Sequence, residues 1–217
     1  MREIYYDELT GIYNRRFLYY WVDNEIKRAN RFATKFGIII IDLDNFREIN
    51  NNYGHLEGDK VLDVGTGGGL LAIGFARTIK NCEVVGIDIW MRLGGGTSLK
   101  IAKRNAEIEG VADKVKFEEG DARNIPYSNG YFDIVVASFA IHIIKRKREE
   151  AFQEMIRVLK PGGKFAIIEP SREYRWVVDE KLRETLEEIG LENVKFQPFL
   201  VSYPKRRHVY IIYGEKR

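Results

Sequence analysis

GDKVLDVGTGGG, residues 58–69, admits two readings, and the fold depends on which one holds. Joined to the residues before it, GDKVL suits the first turn of a helix. Joined to the residues after it, KVLDVG (60–65) suits a short buried strand running into a glycine-rich turn. One stretch cannot be both. The glycines after it and the ordered pattern downstream favour the strand, so 60–65 is predicted as β.

Working outward, β-rich runs alternate with helical stretches. LLAIGFARTI (70–79) has helical periodicity, and CEVVGIDI (82–89) reads as a second strand. SLKIAKRNAEIEG (98–110) is predicted as a helix, with Thr97 or Ser98 as N-cap and Gly110 as its stop. KVKFEEGD (114–121) and FDIVVASFA (132–140) come next as strands three and four. A helix over 147–159 is expected to end at KPGG (160–163), and KFAIIEP (164–170) to form strand five. After a further helix ending near Gly190, NVKFQPFLVS (193–202) and HVYIIYGE (208–215) read as a terminal strand pair. Alternation of this kind implies a parallel, doubly wound α/β sheet, with ligands at the carboxyl ends of the strands.

The polar residues fall at those ends. Asp63, Gly65, Thr66, Gly67 and Gly69 belong to strand one and its turn. Asp88 closes strand two, Asp121 closes strand three, and Ser138 and His142 lie at or beyond the end of strand four. The turn and Asp88 alone would equally suit a nicotinamide dinucleotide. The motifs DVGTGGG, GIDI (86–89), GDARNIPY (120–127), YFDIVVASFAIHII (131–144) and LKPGGKF (159–165) occur in that order. Together they resemble the class I S-adenosylmethionine-dependent methyltransferases, the small-molecule branch most closely, over about 60–217.

That resemblance implies a Rossmann-like, mostly parallel seven-stranded sheet and S-adenosylmethionine as cofactor. It implies Asp63 near the methionine ammonium, with Gly65, Thr66, Gly67 and Gly69 letting backbone approach the cofactor. Asp88 would take the ribose hydroxyls, and Ile89 would pack on the adenine face. Asp121 and Ala122 would meet the adenine edge, and Ser138 would border the site. No catalytic residue is assigned. The donor's sulfonium is already activated, so placement supplies much of the rate, and a base is needed only where the acceptor must lose a proton. His142 is placed to serve as one, and equally suits a core or cap histidine. The chain reads SFAI after strand four. It lacks the Asn/Asp-Pro-Pro-aromatic signature of enzymes that methylate nucleic-acid bases, and a small-molecule acceptor is expected.

Residues 7–32 and 37–62 carry a second resemblance, to the N-terminal part of a GGDEF (diguanylate cyclase) domain. It implies magnesium at Asp42 and guanine contacts at Asn50 and Asp59, with Arg47 in place of a lysine. The second half of such a domain is missing. In RLGGGTS (92–98) Gly96 and Thr97 stand where the acidic metal ligands belong. Two-metal chemistry needs clustered carboxylates, so no cyclase activity is expected. The chain thus reads as a chimera of a truncated GGDEF-like segment (1–59) and a methyltransferase domain (60–217). Two competing readings are a cofactor-binding chimera without turnover and a guanine-nucleotide binder. The apolar run 38–41 and the apolar face of the helix at 14–32 need cover, which suggests a homodimer through 1–59.

Composition is compatible with this. The chain has 217 residues, 45% of them hydrophobic and 31% charged, with a net charge of +3. That balance gives no ground for a nucleic-acid or membrane partner. The single Cys82 rules out an internal disulfide and suits a reducing, cytoplasmic setting, with a packing role for the thiol.

Overall fold

The computed structural model describes residues 58–79, 81–90, 97–173, 176–201 and 207–217. The expectations for 1–57, including the helix at 14–32, the strand at 38–41, Asp42, Arg47, Asn50 and the dimer, lie outside the described residues. So does Gly96.

The opening stretch is a strand. β1 spans Asp59–Val64 and pairs in parallel with β2 (Cys82–Asp88) on one side and β4 (Phe132–Ser138) on the other. Asp59, the guanine contact implied by the second resemblance, is simply the first residue of β1, in register with Cys82. β3 (Val115–Glu119) extends the sheet beyond β2, and β5 (Leu159–Pro170) extends it beyond β4. β8 (Leu191–Val201) and β9 (Arg207–Lys216) complete it, both in antiparallel pairings, in the order β3-β2-β1-β4-β5-β9-β8.

Strand order therefore reverses between β1 and β4. Loops leaving these two strands diverge to opposite sides, which opens a crevice at their carboxyl ends. The site is placed there by topology.

Both faces of the sheet are covered, so the middles of its central strands are mainly apolar. Val61 joins a core layer with Ala72, Ala76, Val84, Ala102 and Phe117. Its neighbours Leu62 and Val64 join Phe132, Phe152, Met155, Phe165 and Ile212 on the other side. This is the period-2 alternation of a strand. It puts Asp63 on the same face as Val61, over the helix at Leu70–Thr78.

Four helices complete the described architecture: α1 (Leu70–Thr78), α2 (Leu99–Ile108), α3 (Arg148–Val158) and α4 (Glu180–Glu188). Of the two cap candidates for α2, Ser98 is the one that caps, its hydroxyl accepting from Ile101 N at 3.2 Å. Gly110 comes after the helix at φ 69°, in the left-handed region that stops a helix. Cys82 is buried, and its thiol lies 3.5 Å from the Ile79 carbonyl. Burial pushes its pKa up, which suits packing and not reactivity.

Two differences from expectation have local causes. KPGG does not end before strand five. β5 starts at Leu159, opposite Phe132, and the register shifts before Ile134 meets Lys164. Gly162, at φ 72°, absorbs that irregularity, as in a bulged strand. The second difference is a small hairpin, β6 (Arg172–Glu173) with β7 (Trp176–Val177). It is pinned by Trp176, which is buried against Phe152 and donates its indole N–H to the Pro170 carbonyl at 2.7 Å.

Among the described residues, no helix is long and apolar enough to cross a membrane.

Candidate functional site

The turn from β1 to α1 is shaped by glycines at positive φ: Gly65 at 72°, Gly67 at 55° and Gly69 at 87°. Side chains rarely adopt this region. The amides of Gly65 and Thr66 both donate to the Ile87 carbonyl, at 2.8 and 3.1 Å, which ties the turn to the end of β2. A Cβ on Gly69 would lie 2.7 Å from the Phe117 ring, so only glycine lets α1 start this close to β3. Gly69, at the N-cap of α1, has no side chain to cap the helix, and of the first amides that of Ala72 is taken by Asp63. The positive end of α1 stays suited to a ligand carboxylate.

Asp63 lies beneath this turn, 2% exposed. One carboxylate oxygen accepts from the Thr66 hydroxyl at 2.7 Å and from the Ala72 amide at 3.1 Å. Burial raises its pKa from 3.8 to about 6, against the lowering effect of those two bonds, and nearby Asp88 raises it further. The unfolded carboxyl ionises near 3.8. The stabilisation from this group is thus complete below pH 4 and is lost as pH rises through about 6. Such a shift corresponds to roughly 3 kcal/mol. Asp63→Asn should therefore gain stability relative to wild type, by up to about 3 kcal/mol, between pH 4 and pH 8. Urea titrations of both proteins across that range check it. Parallel pH dependences would refute the buried, proton-holding carboxyl.

Asp88 joins the turn to β2. One of its oxygens accepts from Gly67 N at 2.9 Å and the other from Trp90 N at 2.8 Å. Trp90, at φ 37°, sends its indole N–H back to the Gly67 carbonyl at 2.9 Å. Asn105, on α2, holds the Gly68 carbonyl at 2.8 Å. Each Asp88 oxygen keeps a second lone pair, enough for two hydroxyl donors. Ile89 projects beside it, 45% exposed despite its size.

Asp121 sits past the end of β3 and is gripped by Arg123. The guanidinium donates to both oxygens, at 2.9 and 2.5 Å, and holds the carboxyl below its usual range. An adenine amino group would share this carboxylate or displace the fork. Ala122 packs against the main core, and Ser138 is half-buried at the end of β4. The structure thus brings Asp63, Gly65, Thr66, Gly67, Gly69, Asp88 and Ile89 together at one turn. Asp121, Ala122 and Ser138 stand at the ends of the flanking strands.

Sequence reasoning missed three contributors. Trp90 and Asn105 fasten the glycine turn from outside the motif. The third, Glu169, closes β5 and is 0% exposed. It accepts from the amides of Ala140 at 3.0 Å and Ile141 at 2.7 Å, and approaches His142 N at 3.4 Å. Its second oxygen lies 2.5 Å from His142 Nδ1. An acid at the carboxyl end of an otherwise apolar parallel strand was the available signal.

The residues present fit S-adenosylmethionine: glycines at positive φ where a ligand must come close, a helix start with glycine at its N-cap, a carboxylate with spare lone pairs and an exposed apolar face next to it.

Comparison with known proteins agrees. Residues 61–163 match the family model described as a methyltransferase domain. The ubiquinone/menaquinone biosynthesis C-methyltransferase UbiE of Azotobacter vinelandii is 34% identical over 116 residues, 53% of this chain and 44% of that protein. Its counterpart in Stutzerimonas stutzeri is 35% identical over 120 residues, 55% of this chain and 44% of that protein. The chain therefore matches less than half the length of these curated relatives. Among solved structures, the YcgJ protein of Bacillus subtilis aligns with TM-score 0.63 at 17% identity, covering 78% of this chain and 97% of that one. A SAM-dependent methyltransferase from Aquifex aeolicus aligns with TM-score 0.59 at 22% identity, covering 79% and 89%. At such identities these likenesses establish the fold.

Proposed function

We infer, from the premise that the chain carries a class I S-adenosylmethionine-dependent methyltransferase domain, that it transfers the methyl group of that donor to a small molecule. The observation that carries this reading is the Asp88 carboxylate hydrogen-bonded to the backbone of the glycine turn, beside exposed Ile89. Bound there, S-adenosylmethionine supplies a methyl group already activated on a sulfonium. The chain's residues place it. Asp88 would accept from the ribose hydroxyls, Ile89 would cover one adenine face, and Asp121 with the Ala122 backbone would meet the adenine edge. Asp63 would balance the ammonium, and the start of α1 would favour the carboxylate. The relatives' name specifies C-methylation in quinone biosynthesis. It supports a small organic acceptor for this chain. Calorimetry with S-adenosylhomocysteine, then turnover of an acceptor panel, tests the reading, and an absence of saturable binding refutes it.

Asp88→Ala should weaken donor binding roughly tenfold or more, because hydrogen bonds to charged groups contribute about 1.5–3 kcal/mol. It also releases the Gly67 and Trp90 amides, so a melting curve must accompany the titration. Unchanged affinity in a folded variant removes the assignment.

Within the same reading, residues 1–59 are a GGDEF-like segment without cyclase chemistry, and two chains pair through it. A GTP titration with no saturable signal removes the alternative of a guanine-nucleotide binder. Light scattering that finds a monomer overturns the pairing.

A further inference from the structure

Asp88 ends β2, and Asp121 lies just past β3, its neighbour in the sheet. The Gly120 amide donates to the Asp88 carbonyl at 3.1 Å, so the chain carrying Asp121 leaves the sheet beside Asp88. The two carboxylates are not equally ready for a ligand. Asp88 accepts one amide on each oxygen and keeps a lone pair on both. Asp121 keeps none. One of its oxygens accepts from the Arg123 amide and from Arg123 Nε, each at 2.9 Å. The other accepts from Nη2 at 2.5 Å and shares the same Nε at 3.2 Å. A carboxylate offers about four such positions, and one residue fills them.

The backbone here is pinned on both sides. The Asn124 amide closes a turn on the Asp121 carbonyl at 2.9 Å. Ile125 donates its N–H to Glu154 at 2.8 Å, and its carbonyl accepts from Arg157 Nη2 at 2.9 Å, both partners lying on α3. Asp121 cannot turn away without breaking these bonds. The Arg123 side chain can, because it is exposed. The Asp121 carboxylate favours the guanidinium charge most, and Glu150 on α3 favours it as well, so a second acid waits nearby. Glu150 also pairs with Lys147.

We propose that Arg123 sets the affinity of the donor site by competition: its guanidinium holds the Asp121 carboxylate and must be displaced by the purine amino group. This rests on the methyltransferase reading above. Guanidinium and amino group are both N–H donors aimed at the same oxygens, and a carboxylate with no spare lone pair cannot serve both. When the fork opens, the Arg123 amide stays on its oxygen and keeps the carboxylate oriented. The vacated positions then take the amino group, and the guanidinium moves into water on the side of Glu150. The fork weakens donor and product alike, since both carry the same purine. Its effect is modest, because exposed ion pairs contribute little, and amounts to about two- to fivefold in affinity.

The test is a double-mutant cycle read by calorimetry. The probe is S-adenosylhomocysteine, whose sulfur is uncharged, and the proteins are wild type, Arg123→Met, Asp121→Ala and the double variant. Arg123 is exposed and methionine keeps much of its length, so the fold should survive, and a melting curve accompanies each titration. Arg123→Met should tighten binding about two- to fivefold. In the Asp121→Ala background the same change should have no effect, because no carboxylate is left to compete for. High salt screens the exposed fork and should narrow the gap between wild type and Arg123→Met. An analogue of the probe without the purine amino group should bind both proteins equally. Unchanged binding of S-adenosylhomocysteine in Arg123→Met overturns the proposal. Weaker binding overturns it too, and would mean that the guanidinium supports the purine directly. So does an equal gain in the Asp121→Ala background, or an equal gain for the analogue. Failure of the wild type to bind S-adenosylhomocysteine overturns instead the reading on which the proposal rests.

Discussion

Glu169→Ala should lower folding stability by about 2–6 kcal/mol, because two buried amides lose their shared acceptor. Its two short bonds to the amides of Ala140 and Ile141 vanish in a place with no exposure. Each buried N–H left unpaired costs about 1–3 kcal/mol, less where water can enter the space vacated. The His142 ring loses its partner in the same change. Glu169→Gln keeps an oxygen facing the amides and should retain most of the stability, so the two variants separate loss of the amide acceptor from loss of the carboxyl. Urea unfolding of wild type and both variants measures this. A loss under about 1 kcal/mol for alanine would mean that the loop is held by something else.

Gly65→Ala should destabilise by about 2–5 kcal/mol from two separable causes. The added Cβ would sit 2.3 Å from the Ala140 Cβ, closer than carbon atoms approach, and overpacking of this kind costs about 1–3 kcal/mol. A φ of 72° adds about 1–2 kcal/mol for any residue with a Cβ. For a chain of this size the melting temperature should fall by about 5–20 °C. Pairing Gly65→Ala with Ala140→Gly removes the facing methyl and should restore the overpacking part alone, a coupling that a double-mutant cycle isolates. Strict additivity of the two changes would falsify the contact. Donor binding should weaken in Gly65→Ala as well, because the turn cannot keep its bonds to the Ile87 carbonyl while yielding to Ala140.

Much of the fold was legible along the chain. β1, β2 and β4 are short, largely apolar runs, and Gly65 and Asp88 mark where the first two end. Helices α2 and α4 announce their starts with Ser98 and Asp179, whose side chains accept from backbone amides three residues on. These signals are local. Strand spacing, capping and left-handed glycines act over a few residues, and composition records them directly. The bulge at the start of β5 was not legible, because KPGG in isolation is a turn, and only pairing with Phe132 and Ile134 draws it into the sheet.

The site divides along the same line. The sequence by itself determined that Asp63, the glycines and Asp88 belong to one turn region, because their order runs through strand, turn, helix and strand. Tertiary structure alone decided what each carboxylate touches. Asp121 is forked by Arg123, Asp88 fastens Trp90 to the turn, and Glu169 reaches His142 across 27 residues of chain. That last contact exists because β4 and β5 lie side by side in parallel, which places the ends of two strands, and the loop leaving one of them, within hydrogen-bond reach. Pairing between distant strands depends on the whole sheet's order, and no local run of residues records it.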